Sequence, residues 1–268
     1  MQRVTSRNNP RLAQTARLIA SSRDRRKLGR CVLEGEHLIA VYLERVGVPE
    51  TLIVVEDRLH EPGFAALAAA MPSASLLAVP AGLFAELSTL PADVGALAVI
   101  AVPRAEMPPP ARLHVLLEEV QDPGNVGAIL RTAAAAGADQ VLLSGGCAFA
   151  WSPKVLRAAQ GAHFCTTIVE GVDLVAWAAL FRAHGGCVLG AVPRGGSDLY
   201  RVPMRAPLAF AFGNEGAGLS VRLQHCADVA VTIPMPGGVE SLNAAAAAAV
   251  ILFEFVRQQA NGPGDAST

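Results

Sequence analysis

Three glycine-bearing segments carry the side chains best placed to do chemistry in this 268-residue chain. The first runs Glu118-Glu119-Val120-Gln121-Asp122-Pro123-Gly124-Asn125-Val126-Gly127 and leads to Arg131. A strand ending near Val120, a turn at Pro123-Gly124 and a helix capped by Asn125 would set Arg131 nearly two turns inside that helix. The same residues also fit an ordinary capped helix with a surface arginine. The second segment, Phe210-Ala211-Phe212-Gly213-Asn214-Glu215-Gly216-Ala217-Gly218-Leu219-Ser220, puts three glycines after a strand, where backbone can approach a ligand closely. Its glycine order is not that of a dinucleotide fingerprint, and Glu215 would repel phosphate, so a cationic or neutral ligand fits better. The third, Ile233-Pro234-Met235-Pro236-Gly237-Gly238-Val239-Glu240-Ser241-Leu242-Asn243, opens an alanine-rich helix for which Ser241 is a natural cap. A capped core helix would use the same residues.

These segments need elements to hold them. Apolar runs predict strands at 113–120, 139–143, 165–169, 187–192, 207–212 and 229–233. Helical patterns fall at 126–136, 153–160, 173–183 and 241–258. Continuous apolar strands alternating with helices imply a parallel sheet covered on both faces. In such sheets ligands bind beyond the carboxyl ends of the strands, where all three segments begin. Pro103 to Ala111, with three consecutive prolines, reads as a stiff linker, which makes 1–102 and 112–268 two domains. The first domain alternates as well. Strands are expected at Cys31–Leu33, Leu52–Val55, Leu76–Val79 and Leu97–Val102, and helices at Arg11–Ser21, Glu36–Val46, Phe64–Met71 and Leu83–Leu87, giving a small α/β domain with parallel tendencies. The tail from Asn261 to Thr268 is expected to fray.

Composition excludes several classes. A chain with 52% hydrophobic and 17% charged residues can bury a real core, so it is not wholly disordered. The longest apolar run, Ala244 to Phe253, is too short to span a bilayer and stops at Glu254. The start Met1-Gln2-Arg3 shows no apolar signal core, so a cytoplasmic location is expected. Five scattered cysteines form no disulfide framework, and six histidines show no metal-ligand spacing, so no metal is expected. The net charge of −1 conceals an asymmetry. Residues 1–30 hold nine basic side chains and one acid, a net +8, against a net −9 for the remainder. A basic arm of this kind, with Arg7, Arg23, Arg25 and Arg26 among its members, points to a polyanionic partner.

Taken together, the segments resemble the SpoU (TrmH) family of RNA ribose 2′-O-methyltransferases, within the SPOUT superfamily. The resemblance rests on Asn125-x-Gly127-x-x-x-Arg131, on Gly213-Asn214-Glu215-Gly216-x-Gly218-Leu219-Ser220, and on Ile233-Pro234-Met235 with Ser241-Leu242-Asn243, in that order. The front is similar to the family's substrate-binding domain through Thr5-Ser6-Arg7-Asn8-Asn9-Pro10 and Leu33-Glu34-Gly35-Glu36. The fold of that domain resembles small ribosomal proteins that bind kinked RNA.

The resemblance implies an α/β fold whose C-terminal domain carries a trefoil knot, S-adenosylmethionine as cofactor, RNA as partner and a homodimer. It assigns the cofactor to Gly213, Asn214, Gly218, Ile233, Met235 and Leu242, and catalysis to Arg131, Asn125, Glu215, Ser241 and Asn243. Arginine is a poor base, so Arg131 is expected to bind the phosphate beside the target ribose and to stabilise the developing oxyanion. Asn125 would orient the loop or the ribose. Glu215 would hold Arg131 or lie near the sulfonium, with Ser241 and Asn243 in the same pocket. The apolar Ala244–Val256 helix suits a dimer interface. Large ribosomal RNA is the expected substrate, with transfer RNA as the other choice. Two other readings compete: a nicotinamide-dependent oxidoreductase, which lacks its glycine fingerprint here, and a non-catalytic RNA-binding protein.

Overall fold

A computed structural model describes residues 1–88, 94–103 and 112–260. Apart from Pro103, the expected linker at 103–111 lies outside the described residues, as does the tail from Asn261. The front of the chain forms strands β1 (Gln2–Arg3), β2 (Arg30–Glu34), β3 (Thr51–Val55), β4 (Leu76–Val79) and β5 (Ala96–Ala101). Its helices are α1 (Pro10–Ala20), α2 (Ser22–Leu28), α3 (Glu36–Arg45), α4 (Pro62–Ala69) and α5 (Ala81–Leu87). Further along come β6 (Leu113–Leu117), α6 (Pro123–Ala135), β7 (Gln140–Leu143), α7 (Pro153–Ala159), β8 (Thr167–Glu170) and α8 (Leu174–Ala183). The remainder is β9 (Cys187–Ala191), β10 (Ser197–Asp198), β11 (Leu208–Phe212), α9 (Val221–Cys226), β12 (Val229–Thr232) and α10 (Ala244–Ala260).

The chain divides into two units, Met1–Arg104 with Trp151–Phe164, and Ala105–Ala150 with Cys165–Thr268. In the first, the sheet order is β1-β4-β3-β5-β2. Strands β1, β4 and β3 are parallel, while β5 runs antiparallel to both β3 and β2. The expected parallel tendency therefore holds for only part of this sheet. Strands buried on both faces read as unbroken apolar runs whichever way their neighbours point, so the sequence pattern is silent on sense. Trp151–Phe164 joins this unit through α7. There Arg157 pairs at 3.5 Å with Glu34, whose side chain is only 1% exposed.

The basic arm forms α1 and α2. Ser21 caps α2 by accepting from the Asp24 N–H at 3.1 Å, and Gly29 ends it at φ +59°. One member of the expected RNA-contacting set is corrected here. Arg25 is buried, 5% exposed, and donates to the carbonyls of Leu18 and Ile19 at the end of α1. Burial lowers its pKa, with Arg26 adding to the effect and Cys31 opposing it. It staples two helices together and is not available to a phosphate. Arg7, Arg23 and Arg26 are exposed.

The second unit holds the order β10-β12-β9-β11-β6-β7-β8, with every pair parallel. Parallel strands bring their carboxyl ends to one edge of the sheet, so the loops after β6, β11, β9 and β12 leave from the same side. Those four strands are also consecutive neighbours. The loops after β6 and β11, whose strands end 95 residues apart at Leu117 and Phe212, thus become adjacent because their strands are. The edge strands β1 and β10, two residues each, and the six-residue α9 are too short to leave a periodic trace in the sequence.

Candidate active site

The loop after β11 is closed by its own backbone. Asn214 and Gly218 exchange N–H···O bonds at 3.1 and 2.9 Å. The Asn214 side-chain oxygen accepts from the N–H groups of Gly216 and Ala217 at 2.9 and 3.0 Å. Its amide nitrogen donates to the Glu119 carbonyl at 2.9 Å. Glycine at 213 is forced by close approach, since a Cβ there would lie 2.1 Å from the Gly218 carbonyl carbon. The loop ends on Ser220, whose N–H and hydroxyl both donate to the Glu118 carboxylate at 2.7 Å.

Glu215 reaches from this loop to the start of α6. Its carboxylate accepts from the N–H groups of Asp122 at 3.1 Å and Gln121 at 3.3 Å, and from the Asn125 amide at 2.9 Å. Asn125 in turn accepts from the Asn243 amide at 2.9 Å. The orientation of both amides follows from their partners. A carboxylate only accepts, so Asn125 must turn its nitrogen to Glu215 and its oxygen to Asn243. The Asn243 oxygen is engaged by the N–H groups of Ala245 and Ala246 at 2.9 and 3.2 Å. One hydrogen-bonded line therefore runs Glu215–Asn125–Asn243 and joins all three segments. Burial works against the charge on Glu215. The Asn125 amide, with the N–H groups of Glu215, Asp122 and Gln121, outweighs it and holds the carboxyl below its ordinary value.

Several expected roles change with this geometry. The cap of α6 is Asp122, which accepts from the Asn125 N–H at 2.9 Å, and Asn125 stands at the third helical position. An acid directly before Pro123 is itself a cap-then-proline pattern, so the signal was in the sequence one turn earlier. Likewise Asn243, not Ser241, caps α10; Ser241 stands exposed two residues before it. Glu215 does not hold Arg131. Arg131 is exposed, six residues beyond Asn125 on α6, and its side chain makes no hydrogen bond or ion pair with any described residue. Glu118, Glu119 and Asp122, which hold the loops, were not among the candidates.

A cavity of about 400 Å³ opens beside this network. Its wall includes all six residues assigned to a cofactor, Gly213, Asn214, Gly218, Ile233, Met235 and Leu242, together with Glu215 and Ser241. Phe212, Val231, Ala244, Ala247 and Ile251 give it an apolar floor. The size suits one small molecule. Gly213, where no side chain can stand, and Gly218, held at φ +70°, leave backbone facing the cavity, and the apolar wall offers a surface for a planar ring. Among the described residues no group of three or more His, Cys, Asp or Glu could hold a metal.

Comparisons with known proteins agree with this geometry. An uncharacterized tRNA/rRNA methyltransferase of Synechocystis is 34% identical over 97% of this chain and 96% of its own length. The 23S rRNA (guanosine(2553)-2′-O)-methyltransferase RlmP of Bacillus subtilis is 32% identical over 95% of this chain and 99% of its own. Among solved structures, the SpoU methyltransferase AviRb of Streptomyces viridochromogenes, in complex with AdoMet, superposes with a TM-score of 0.84 at 29% identity. That likeness covers 95% of this chain and 100% of that one. The profile of the SpoU rRNA Methylase family matches residues 112–253, the stretch that supplies every loop of the cavity. With a family match over more than half its length and relatives aligned almost end to end, this chain is a member of the SpoU rRNA methylase family.

Proposed function

We propose that this protein is an RNA methyltransferase that moves a methyl group from S-adenosylmethionine to a ribose 2′-hydroxyl of 23S ribosomal RNA. The observation that carries the reading is the Glu215–Asn125–Asn243 line at the edge of a cavity sized for a small molecule. Bound there, S-adenosylmethionine supplies a methyl on a sulfonium, already activated for transfer. The residues around it have three tasks. Gly213, Asn214 and Gly218 present backbone groups, while Ile233, Met235 and Leu242 exclude water from the apolar part. Glu215, ionised at neutral pH, favours a cationic ligand and fixes the start of α6. That anchoring sets the orientation of the helix carrying Arg131. A free, exposed guanidinium can engage the phosphate next to the target ribose and stabilise charge growing on its oxygen. Ser241 stands at the rim with a hydroxyl to donate or accept.

The knotted threading implied by the resemblance belongs to this reading. Support comes from the path of α10, which follows β12 yet packs on α6 and β11, back across the sheet. A homodimer belongs to it too, with α10 at the interface; Phe253 is 49% exposed there, between the buried Leu252 and Glu254. The first unit and its exposed Arg7, Arg23 and Arg26 serve RNA. No helix among the described residues is long and apolar enough to cross a membrane, and a cytoplasmic site of action fits an rRNA substrate.

The test is transfer of labelled methyl to unmodified 23S rRNA, with sugar methylation mapped afterwards. Incorporation at a ribose 2′-oxygen is expected. Label on a base, or none in 23S rRNA, overturns the proposal.

A further inference from the structure

We infer that Arg194 recognises the carboxylate of the cofactor's amino-acid end; the inference rests on the reading of the cavity as an S-adenosylmethionine site. Arg194 is the one Lys or Arg among the described residues that line it. The other charged residues there are Glu215, already committed to the start of α6, and Glu240. S-adenosylmethionine carries one anionic group, so the cavity offers it one cation.

The mounting of Arg194 is more defined than that of an ordinary surface arginine. Val192 donates its N–H to the Val231 carbonyl at 2.9 Å. The Thr232 hydroxyl donates to the Val192 carbonyl at 3.1 Å and accepts from the Gly196 N–H at 3.0 Å. Both feet of the arch Pro193-Arg194-Gly195 are therefore pinned to β12. A Cβ on Gly196 would lie 2.7 Å from the Thr232 hydroxyl and 2.8 Å from the Ala230 carbonyl oxygen, so a glycine is what lets the arch sit this close. Gly195 turns it at φ +80°.

The guanidinium rests against Glu240 at 3.4 Å, and the two side chains are 69% and 87% exposed. An exposed pair of this kind is weak. A carboxylate brought in on a ligand held by the cavity can displace Glu240, because the rest of the ligand's contacts fix it in place. Glu240 then faces the ligand's ammonium end or solvent, two residues from Leu242 on the cavity wall.

Calorimetry with two probes tests this: S-adenosylmethionine, and its decarboxylated form, which lacks only the carboxylate. The wild type is expected to bind the intact compound more tightly. Arg194→Ala should lose about tenfold for S-adenosylmethionine and little for the decarboxylated compound. Arg194→Lys should recover part of the difference, and Glu240→Gln should bind the intact compound at least as tightly as the wild type. Equal losses for both probes would make the arch a merely structural support and overturn the inference. Unchanged cofactor affinity with weaker RNA binding in Arg194→Ala would assign the residue to an RNA phosphate and overturn it too. If neither probe binds the wild type, the reading of the cavity falls, and the inference with it.

Discussion

The amide of Asn243 donates to the side-chain oxygen of Asn125 at 2.9 Å, across 118 positions of sequence. Through that bond the cap of α10 and the first turn of α6 share one polar contact, and Glu215 extends it to the loop after β11. Asn243→Ala removes both the cap and the link, and about 1 kcal/mol should be lost from stability for the cap alone. Asn243→Asp keeps an acceptor for Ala245 and Ala246 but has no donor for Asn125. Thermal unfolding of Asn243→Asp should stay near wild type while cofactor affinity and turnover fall. Wild-type turnover in Asn243→Asp would show the link to be dispensable.

Gly213 is the tightest point of the cavity. Gly213→Ala forces a carbon into the backbone of Gly218 and Leu219, and should cost roughly 1–3 kcal/mol and abolish cofactor binding. At Gly216 the nearest atom to a new Cβ is 3.6 Å away, so Gly216→Ala is the matched control and should bind normally. Urea denaturation and calorimetry on the two variants read this directly.

The basic arm separates into fold and partner. Arg25→Ala leaves the buried carbonyls of Leu18 and Ile19 short of a charged donor and should destabilise by about 1–3 kcal/mol. Arg23→Ala and Arg26→Ala are surface changes and should stay within about 0.5 kcal/mol of wild type. They should instead lower the slope of log affinity for RNA against log salt by about one per residue. Filter binding across a salt series, beside melting curves, distinguishes the two classes.

Glu215 makes the loop contacts sensitive to acid. Its pKa is depressed in the folded protein below the ordinary 4.5, so the stability it lends is present in full above that value. As pH falls through the lower folded value, that contribution disappears. Stability differences between wild type and Glu215→Gln should therefore shrink below about pH 4.5. Denaturation series from neutral to acid pH should show the two curves converging. Curves that stay parallel would remove Glu215 as the acid-sensitive group.

Arg131 does not line the cavity, so its loss should leave cofactor affinity intact. Turnover in Arg131→Ala should fall about 100-fold or more if the guanidinium stabilises the oxyanion. Arg131→Lys keeps the charge but not the planar fork and should fall between. Single-turnover methyl transfer with calorimetry alongside measures both quantities. Near-normal transfer in Arg131→Ala would end its catalytic assignment.

Apart from the two-residue β10, the strands of the second unit were legible because they are mostly apolar runs. Predicted and observed bounds differ mostly by a few residues, as with 207–212 against Leu208–Phe212. The cavity residues were legible for a related reason: Gly213 is required by backbone that comes close and Gly218 by its φ of +70°, and such positions admit few other types. The caps were misplaced. Asp122 and Asn125, like Ser241 and Asn243, are residues of similar capping power within one turn of each other, and local sequence alone does not rank them. What ranks them is distant. Asn125 is drawn away from its own helix by Glu215 and Asn243, which leaves the cap to Asp122.

Residue type and order thus determined that the second unit makes a parallel α/β sheet and which glycine-bearing loops stand after its strands, because hydrophobic pattern and glycine placement are local properties. Tertiary structure alone decided which polar groups meet. Whether Glu118 finds Ser220 102 residues away depends on strand order in the sheet, which is set by packing across the whole unit, and whether Arg25 faces phosphate or the carbonyls of Leu18 and Ile19 depends on how α1 and α2 pack together.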